Sequence, residues 1–191
     1  MTKAALRKKY QSLRNDLNPE QIEELSLAIA NQSLKLPIWN QTYYHLYLPI
    51  LHKKEVNTEY ILQILQGKDK EVVLSKSDFQ NNELTHFLLT ENTTIKTNSY
   101  GIPEPSDGIE VPISKIEVIF IPLLTFDKSG QRVGYGKGFY DRFLTECRPE
   151  VQKIGLCLEG AVPLIEEVGE WDIPLDFCVS PQRCYEFGVK N

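Results

Sequence analysis

Apolar residues recur along this chain in two rhythms. Between residues 3 and 17, Leu6, Tyr10, Leu13 and Leu17 follow one another at steps of 4, 3 and 4, which predicts an amphipathic helix with those side chains inward. Lys3, Arg7 and Arg14 share a stripe beside that face. Long cations at the edge of an apolar face commonly lay their stems along it; the same stripe would also serve as a basic rail beside an anion site. Asn18-Pro19-Glu20-Gln21 starts a second helix, because Asn18 can cap, Pro19 suits the first helical position and Gln21 can close a capping box. It is expected to reach about Leu34, with Ile22, Leu25 and Ile29 inward.

Past Pro37 and Trp39 the rhythm shortens. Compact apolar runs at 43–51, 71–76, 86–90, 116–124, 153–159 and 177–180 read as strands, and 116–124 (IEVIFIPLL) is the clearest buried one. Helical patterns at 58–66 and 138–147 separate them. Strands that alternate with helices predict an α/β fold with a largely parallel central sheet. There is no internal repeat and no linker, so residues 1–191 are expected to form one domain. The stretch from Thr90 to Pro112 is the loosest and is a candidate functional loop.

Charge and cysteine usage narrow the class. The net charge is −5 with no long basic run, which argues against a nucleic-acid partner. No apolar run approaches the roughly 18 residues of a membrane span, and the charged N-terminus lacks the apolar core of a signal peptide. Cys147, Cys157, Cys178 and Cys184 form no C-x-x-C pair, so reduced thiols and a cytoplasmic location are expected. His45, His52 and His86 lie on or beside the strands with no partner pattern, and no catalytic role is expected of them; Trp39 and Trp171 read as packing residues.

The candidate chemistry lies in GYGKGFYDRF, residues 134–143. It follows the strand at 116–124 and a turn at Asp127-Lys128-Ser129-Gly130, and it opens a helix with Phe139, Tyr140, Phe143 and Leu144 on one face. Gly134, Gly136 and Gly138 remove three side chains, so backbone N–H groups can approach an anion, and the helix start adds its positive end. Arg132 and Lys137 supply full charges, and Asp141 in the first turn can stabilise the helix start or hold a divalent cation. The spacing matches neither G-x-G-x-x-G nor G-x-x-x-x-G-K-[ST]. On these residues alone, a phosphate or nucleotide site and a turn that lets the helix pack tightly both stand.

The wider arrangement, FDKSGQRVGYGKGFYDRFL at 126–144, resembles the 5-formyltetrahydrofolate cyclo-ligase family and its R-x-G-x-G-x-G-Y-Y-D motif. Lys3-Ala-Ala-Leu-Arg7, Tyr47-Leu48-Pro49 with Glu55-Val56-Asn57-Thr58, Tyr100-Gly101-Ile102-Pro103-Glu104-Pro105 and the acidic segment Glu170–Asp176 are similar to further family segments, in the same order. Phe139 stands where tyrosine is usual and Asn57 where an acidic residue is usual.

The resemblance implies a three-layer, Rossmann-like sandwich of NagB/RpiA/CoA-transferase-like type with N-terminal helices. It implies ATP- and Mg2+-dependent closure of 5-formyltetrahydrofolate to 5,10-methenyltetrahydrofolate. ATP would lie on Lys3, Arg7, Arg132, Val133, Gly134, Tyr135, Gly136, Lys137, Gly138, Phe139 and Tyr140, with Lys137 and Arg132 catalytic. The folate would meet Ile50, Glu55, Asn57, Tyr100 and Tyr140, and Asp141 and Asp176 would hold the metal. Small-molecule substrates, no nucleic acid, no membrane and a monomer are expected. A non-catalytic nucleotide or folate binder, and a sugar-phosphate isomerase or CoA-transferase-like enzyme, are the alternatives.

Overall fold

Two capped helices open the chain in the computed structural model, which describes residues 1–188; the last three residues of the expected domain lie outside them. The Thr2 hydroxyl accepts from the Ala5 amide at 3.2 Å and starts α1 (Lys3–Asn15). Asn18 and Gln21 form the expected reciprocal box at the head of α2 (Pro19–Ser33), each hydrogen bond 2.9 Å long. The inward face of α1 departs from expectation. Leu13 is 39% exposed, whereas Arg14 is 5% exposed. The helix turns that far because Arg14 finds two buried acceptors, the Leu123 carbonyl and the Tyr135 hydroxyl, which satisfy its guanidinium away from water.

The remaining elements are β1 (Tyr43–His45), α3 (Glu59–Gly67), β2 (Glu71–Asp78), β3 (Glu83–Leu88), β4 (Ile95–Thr97), β5 (Pro103–Pro105), β6 (Val118–Pro122), β7 (Thr125–Phe126), β8 (Arg132–Val133), α4 (Phe139–Glu146), β9 (Gln152–Leu156), β10 (Phe177–Val179) and β11 (Cys184–Glu186). Seven strands form the main sheet in the order β11-β10-β9-β6-β1-β2-β3. The central five run parallel, and the edge strands β3 and β11 are antiparallel to their neighbours. The α/β class is therefore as expected, with a mixed rather than purely parallel sheet.

Alternation along the strands separates two packed faces. Val118 and Phe120 of β6, with Tyr44, Val72 and Ile154, pack under α2 and α3 through Ile29, Ile61 and Leu65. Ile119 and Ile121, with Val73 and Cys178, face Phe143 and Leu144 of α4. A third, smaller cluster seats Leu6 and Tyr10 of α1 on Leu124, Val133 and Ile165. The α1 helix thus sits apart from both layers, over the end of the sheet. Burial and not pairing keeps the cysteine thiols protonated: all four are free, and Cys157 is pushed up to about 11. Among the described residues no helix is long and apolar enough to cross a membrane.

Several elements were not foreseen. Only residues 43–45 of the expected strand at 43–51 form a ladder strand, and the chain then turns away as the cavity wall. The loose stretch after Thr90 contains a two-stranded ribbon, β4 with β5, and the turn at 127–130 closes a second one, β7 with β8. Such two- and three-residue ladders are too short to carry a period, and β5 is bounded by prolines. The connection from β9 to β10 contains no helix.

Gly155 on β9 marks the tightest packing. A Cβ there would lie 2.6 Å from Leu123 Cδ2 and 2.7 Å from Leu175 Cδ1. Gly155→Ala is expected to lose about 1–3 kcal/mol of stability by overpacking, read from urea unfolding; a variant as stable as wild type would show that Leu123 and Leu175 repack freely.

Candidate active site

A cavity of about 390 Å³ opens beyond the carboxyl ends of β1, β2 and β6, the edge at which parallel α/β sheets place ligands. Its size lies in the usual range for small-molecule sites. Lys3 and Arg7 of α1 form one wall, and the glycine loop forms another. Gly136 and Gly138 have φ of +88° and +76°, a region that side chains disfavour. At Gly136 space matters as well: an added Cβ would sit 3.3 Å from the Arg7 guanidinium carbon. Arg7 Nε donates to the Gly134 carbonyl at 3.0 Å, so the first helix clasps the loop directly. Gly138 then caps α4 without a side chain, leaving the first N–H groups of that helix open beside exposed Lys137.

Two ion pairs stand across the loop. Lys3 Nζ pairs with Asp172, which also accepts from the Gly169 amide at 2.5 Å. Burial works against the Asp172 anion, but the Lys3 hydrogen bond, the Gly169 amide and the Arg132 charge together hold its carboxyl below the usual value. Arg132 pairs with Asp141 at 2.5 Å and donates to the Ile173 carbonyl. Burial lowers the Arg132 pKa, against the pull of Asp141.

Asp176, expected as the second metal ligand, lies at the opposite edge of the sheet. It precedes β10, and its carboxylate accepts from the Lys153 amide at 2.8 Å and from Lys153 Nζ at 2.6 Å. Lys153 is near the start of β9, so this pair sits at the amino ends of the parallel strands, opposite the sheet edge at which the cavity opens. Asp172, four residues earlier in the same acidic segment, takes the place on the cavity wall. Two other expected residues also fall off that wall. Asn57 donates to the Glu23 carboxylate and accepts from the Glu59 amide at 3.1 Å, bracing α2 against α3. Val133 is buried against α1 in the third cluster.

Ile50, Glu55, Tyr100, Phe139 and Tyr140 all line the cavity. Glu55 is 4% exposed and accepts from the Ile50 amide at 2.7 Å. Burial raises its pKa, opposed by that amide and by Arg14. The Tyr135 hydroxyl accepts from Arg14 Nη1 at 2.7 Å, and burial raises its pKa, with the Glu55 charge adding to the effect. At the mouth, Tyr100 stacks on Phe79 with centroids 3.9 Å apart, and Phe139 meets Phe79 edge-on at 5.2 Å. Phe79 was not singled out from the sequence, although a lone aromatic in the polar run SKSDFQNNE is a readable signal. Ser75 and His45 were missed on this wall too, because strand alternation assigns them to the core face.

The chain matches the model of the "5-formyltetrahydrofolate cyclo-ligase family" over residues 1–181. It is 30% identical over 180 residues to the 5-formyltetrahydrofolate cyclo-ligase of Escherichia coli (strain K12), covering 91% of this chain and 97% of that protein. The enzyme of the same name from Haemophilus influenzae is 31% identical over 125 residues, 63% of this chain and 67% of the relative. The NMR structure of Aquifex aeolicus 5,10-methenyltetrahydrofolate synthetase superposes with a TM-score of 0.80 at 28% identity, covering 100% of this chain and 95% of the other.

Beneath the cavity, Ser75 Oγ bridges His45 Nε2 at 2.7 Å and His86 Nδ1 at 2.8 Å. His45 Nδ1 and His86 Nε2 have no partner among the described residues. Burial pushes the His45 pKa well below its ordinary value, with His86 adding to the effect, and burial takes His86 down to about 4. An unfolded histidine takes up a proton below about pH 6.5, whereas these folded rings stay neutral to lower pH. Unfolding therefore binds protons in that window, and stability is expected to fall as pH drops from about 6.5 toward 4, by up to about 1.4 kcal/mol per pH unit for each ring. Urea midpoints between pH 7.5 and 4.5 check this: His86→Gln should show a shallower decline than wild type, and equal slopes would refute it.

Proposed function

Because the chain belongs to the 5-formyltetrahydrofolate cyclo-ligase family, we propose that it uses ATP and magnesium to close 5-formyltetrahydrofolate to 5,10-methenyltetrahydrofolate, releasing ADP and phosphate. The observation that carries the reading is the single cavity in which Lys3, Arg7, Arg132 and Lys137 surround the glycine loop while Glu55 and Tyr100 occupy the remaining wall. Four cations on one anion-shaped loop suit a polyphosphate, and a buried carboxyl with aromatic rings suits a flat, hydrogen-bonding heterocycle.

The chemical difficulty is the formyl amide, whose oxygen is a poor leaving group. Transfer of the γ-phosphoryl group to that oxygen makes it a good one; N10 then attacks the formyl carbon and gives up its proton, the C–O bond breaks, and the departing phosphate carries the proton away. No enzyme nucleophile is needed, so the protein acts by alignment and charge compensation. Backbone N–H groups from Gly134 to Gly138 and the start of α4 cradle the phosphates. Lys137 and Arg132 balance charge on the transferred group, and Lys3 and Arg7 hold the rest of the chain. Glu55 and Ile50 orient the folate, with Tyr100 and Tyr140 against its ring system.

The carboxylates on this wall fit a magnesium ion better than the pair expected from the sequence. Mg2+ is commonly held by one or two carboxylates plus substrate phosphates and water, and Asp141 and Asp172 both face the cavity. Among the described residues no group of three His, Cys, Asp or Glu stands ready as an all-protein metal site. We therefore assign the ion to Asp141 and Asp172, which would hold it, and its chemistry there would be to neutralise phosphate charge. Until then Arg132 and Lys3 hold the two carboxylates in place.

The test is the near-ultraviolet absorbance of the methenyl product, followed at mildly acidic pH with 5-formyltetrahydrofolate, ATP and Mg2+. Growth of the band only with both ATP and Mg2+ is expected; a flat trace from folded protein would sink the reading. Lys137→Ala and Asp141→Ala are each expected to lower kcat/KM by about 10²-fold or more with the fold retained. Asp172→Asn should raise the Mg2+ concentration needed for half-maximal rate, and Asp176→Asn should leave it unchanged. The opposite pattern would return the metal to Asp176.

A further inference from the structure

A 3-10 turn at Leu51–Lys53, closed by Lys54 at a left-handed φ of 49°, stands where three parts of the cavity rim meet. Its consecutive side chains each reach a different one. His52 lies against the turn that carries Tyr100: a Cβ added at Gly101 would sit 2.8 Å from His52 Cε1. Lys54 Nζ donates to the Asn15 carbonyl at 2.7 Å and to the Leu17 carbonyl at 2.6 Å, which ties the turn to the end of α1. Lys53, between them, leans over the glycine loop with its Nζ 4.2 Å from the centroid of the Tyr135 ring. It lines the cavity together with Lys3, Arg7, Arg132 and Lys137. Its charge is used differently from theirs. Lys3 and Arg132 are paired with carboxylates, and Arg7 donates to the Gly134 carbonyl. Lys53 Nζ has no ion pair and no hydrogen bond among the described residues, and it is the weakest of the influences that favour the Glu55 anion. An ammonium with only a ring face beneath it keeps its three donors open to an anionic oxygen.

Its position says which oxygen. Lys53 belongs to the segment from Ile50 to Glu55, on the folate side of the cavity, yet it lies over the residue between Gly134 and Gly136, on the phosphate side. We propose that Lys53 is a catalytic residue that meets the γ-phosphoryl group at the seam between the two substrates and stabilises it during transfer. This inference rests on the reading of the cavity as shared by ATP and the folate. In the transfer, the bond from the γ-phosphorus to the bridging oxygen of ADP breaks and a bond from that phosphorus to the formyl oxygen forms. Lys53 keeps its proton throughout and acts through charge and hydrogen bonding to the equatorial oxygens, where the transition state spreads its charge. The inner phosphates stay on the glycine backbone, so Lys53 distinguishes a nucleotide with a γ-phosphate from one without it.

The test compares two nucleotides that differ only beyond the β-phosphate. Binding of ADP and of the imido analogue of ATP (adenylyl imidodiphosphate), each with Mg2+, is measured calorimetrically in wild type and in Lys53→Met, which keeps the apolar stem and loses the charge. The variant is expected to bind the analogue about tenfold or more weakly, and to bind ADP as wild type does, which also shows that it is folded. Its kcat is expected to fall by about tenfold or more with the KM for 5-formyltetrahydrofolate unchanged, and Lys53→Arg, which keeps the charge, should recover most of both losses. Equal weakening for the two nucleotides overturns the proposal, since it places the lysine on the inner phosphates. A loss confined to folate binding overturns it as well, and so does an unchanged kcat. Failure of the functional reading looks different: wild type would then bind neither nucleotide, and both statements would fall together.

Discussion

Five neighbouring strands that run in one direction deliver all their carboxyl ends to one edge of the sheet, and this polarity governs the rest of the molecule. At that edge the chain must turn, so loops gather there and leave a concavity between them. The edge also needs a cover, and α1 provides it without joining either packed layer. Arg14 is what holds the cover down. Its guanidinium binds the carbonyl of Leu123, just past β6, and the hydroxyl of the loop that leaves β8. Arg7, two helical turns earlier, grips the same loop by its backbone. The helix that closes the cavity is therefore the helix that shapes it.

The charges follow the same economy. The chain as a whole carries a net −5, yet one concave wall collects Lys3, Arg7, Arg132 and Lys137. Such a concentration would repel itself if left bare. Asp172 and Asp141 break it into pairs while keeping the cations aimed inward. The four cations are thereby oriented before any ligand arrives, which is the condition under which electrostatics contributes most to rate. At the far edge Lys153 and Asp176 form a similar pair that joins β9 to β10.

Much of this was legible in the sequence, and the failures have physical causes. Capping at Asn18 and Gln21 is local chemistry, and it was read correctly. The buried strand at β6 declared itself because both of its faces are covered. The face of α1 was misjudged at Leu13 and Arg14, since periodicity cannot see that a carbonyl and a hydroxyl wait for a guanidinium. The acidic segment carried two aspartates four residues apart, and composition does not say which end of a parallel sheet each will reach. Only the strand direction separates Asp172, at the cavity, from Asp176, at the amino ends. The glycine loop and most of the family motifs pointed to residues that line the cavity, because they are dense in residues with few structural substitutes. Phe79, Ser75 and His45 reached its wall through the path of the β-sheet, which no local pattern records.

The pairing of Lys3 with Asp172 spans 169 positions of sequence. Contacts of such separation form late, because the chain entropy of closing so long a loop must be met before they give anything back. During synthesis the first helix emerges with a guanidinium whose acceptors, at Leu123 and Tyr135, have not yet been made. Its final seat exists only after β6, the glycine loop and the helix-free crossover behind β9 have come into place. The cavity wall is drawn from Lys3 at one end to Asp172 at the other, so no shorter stretch of the chain contains all of it.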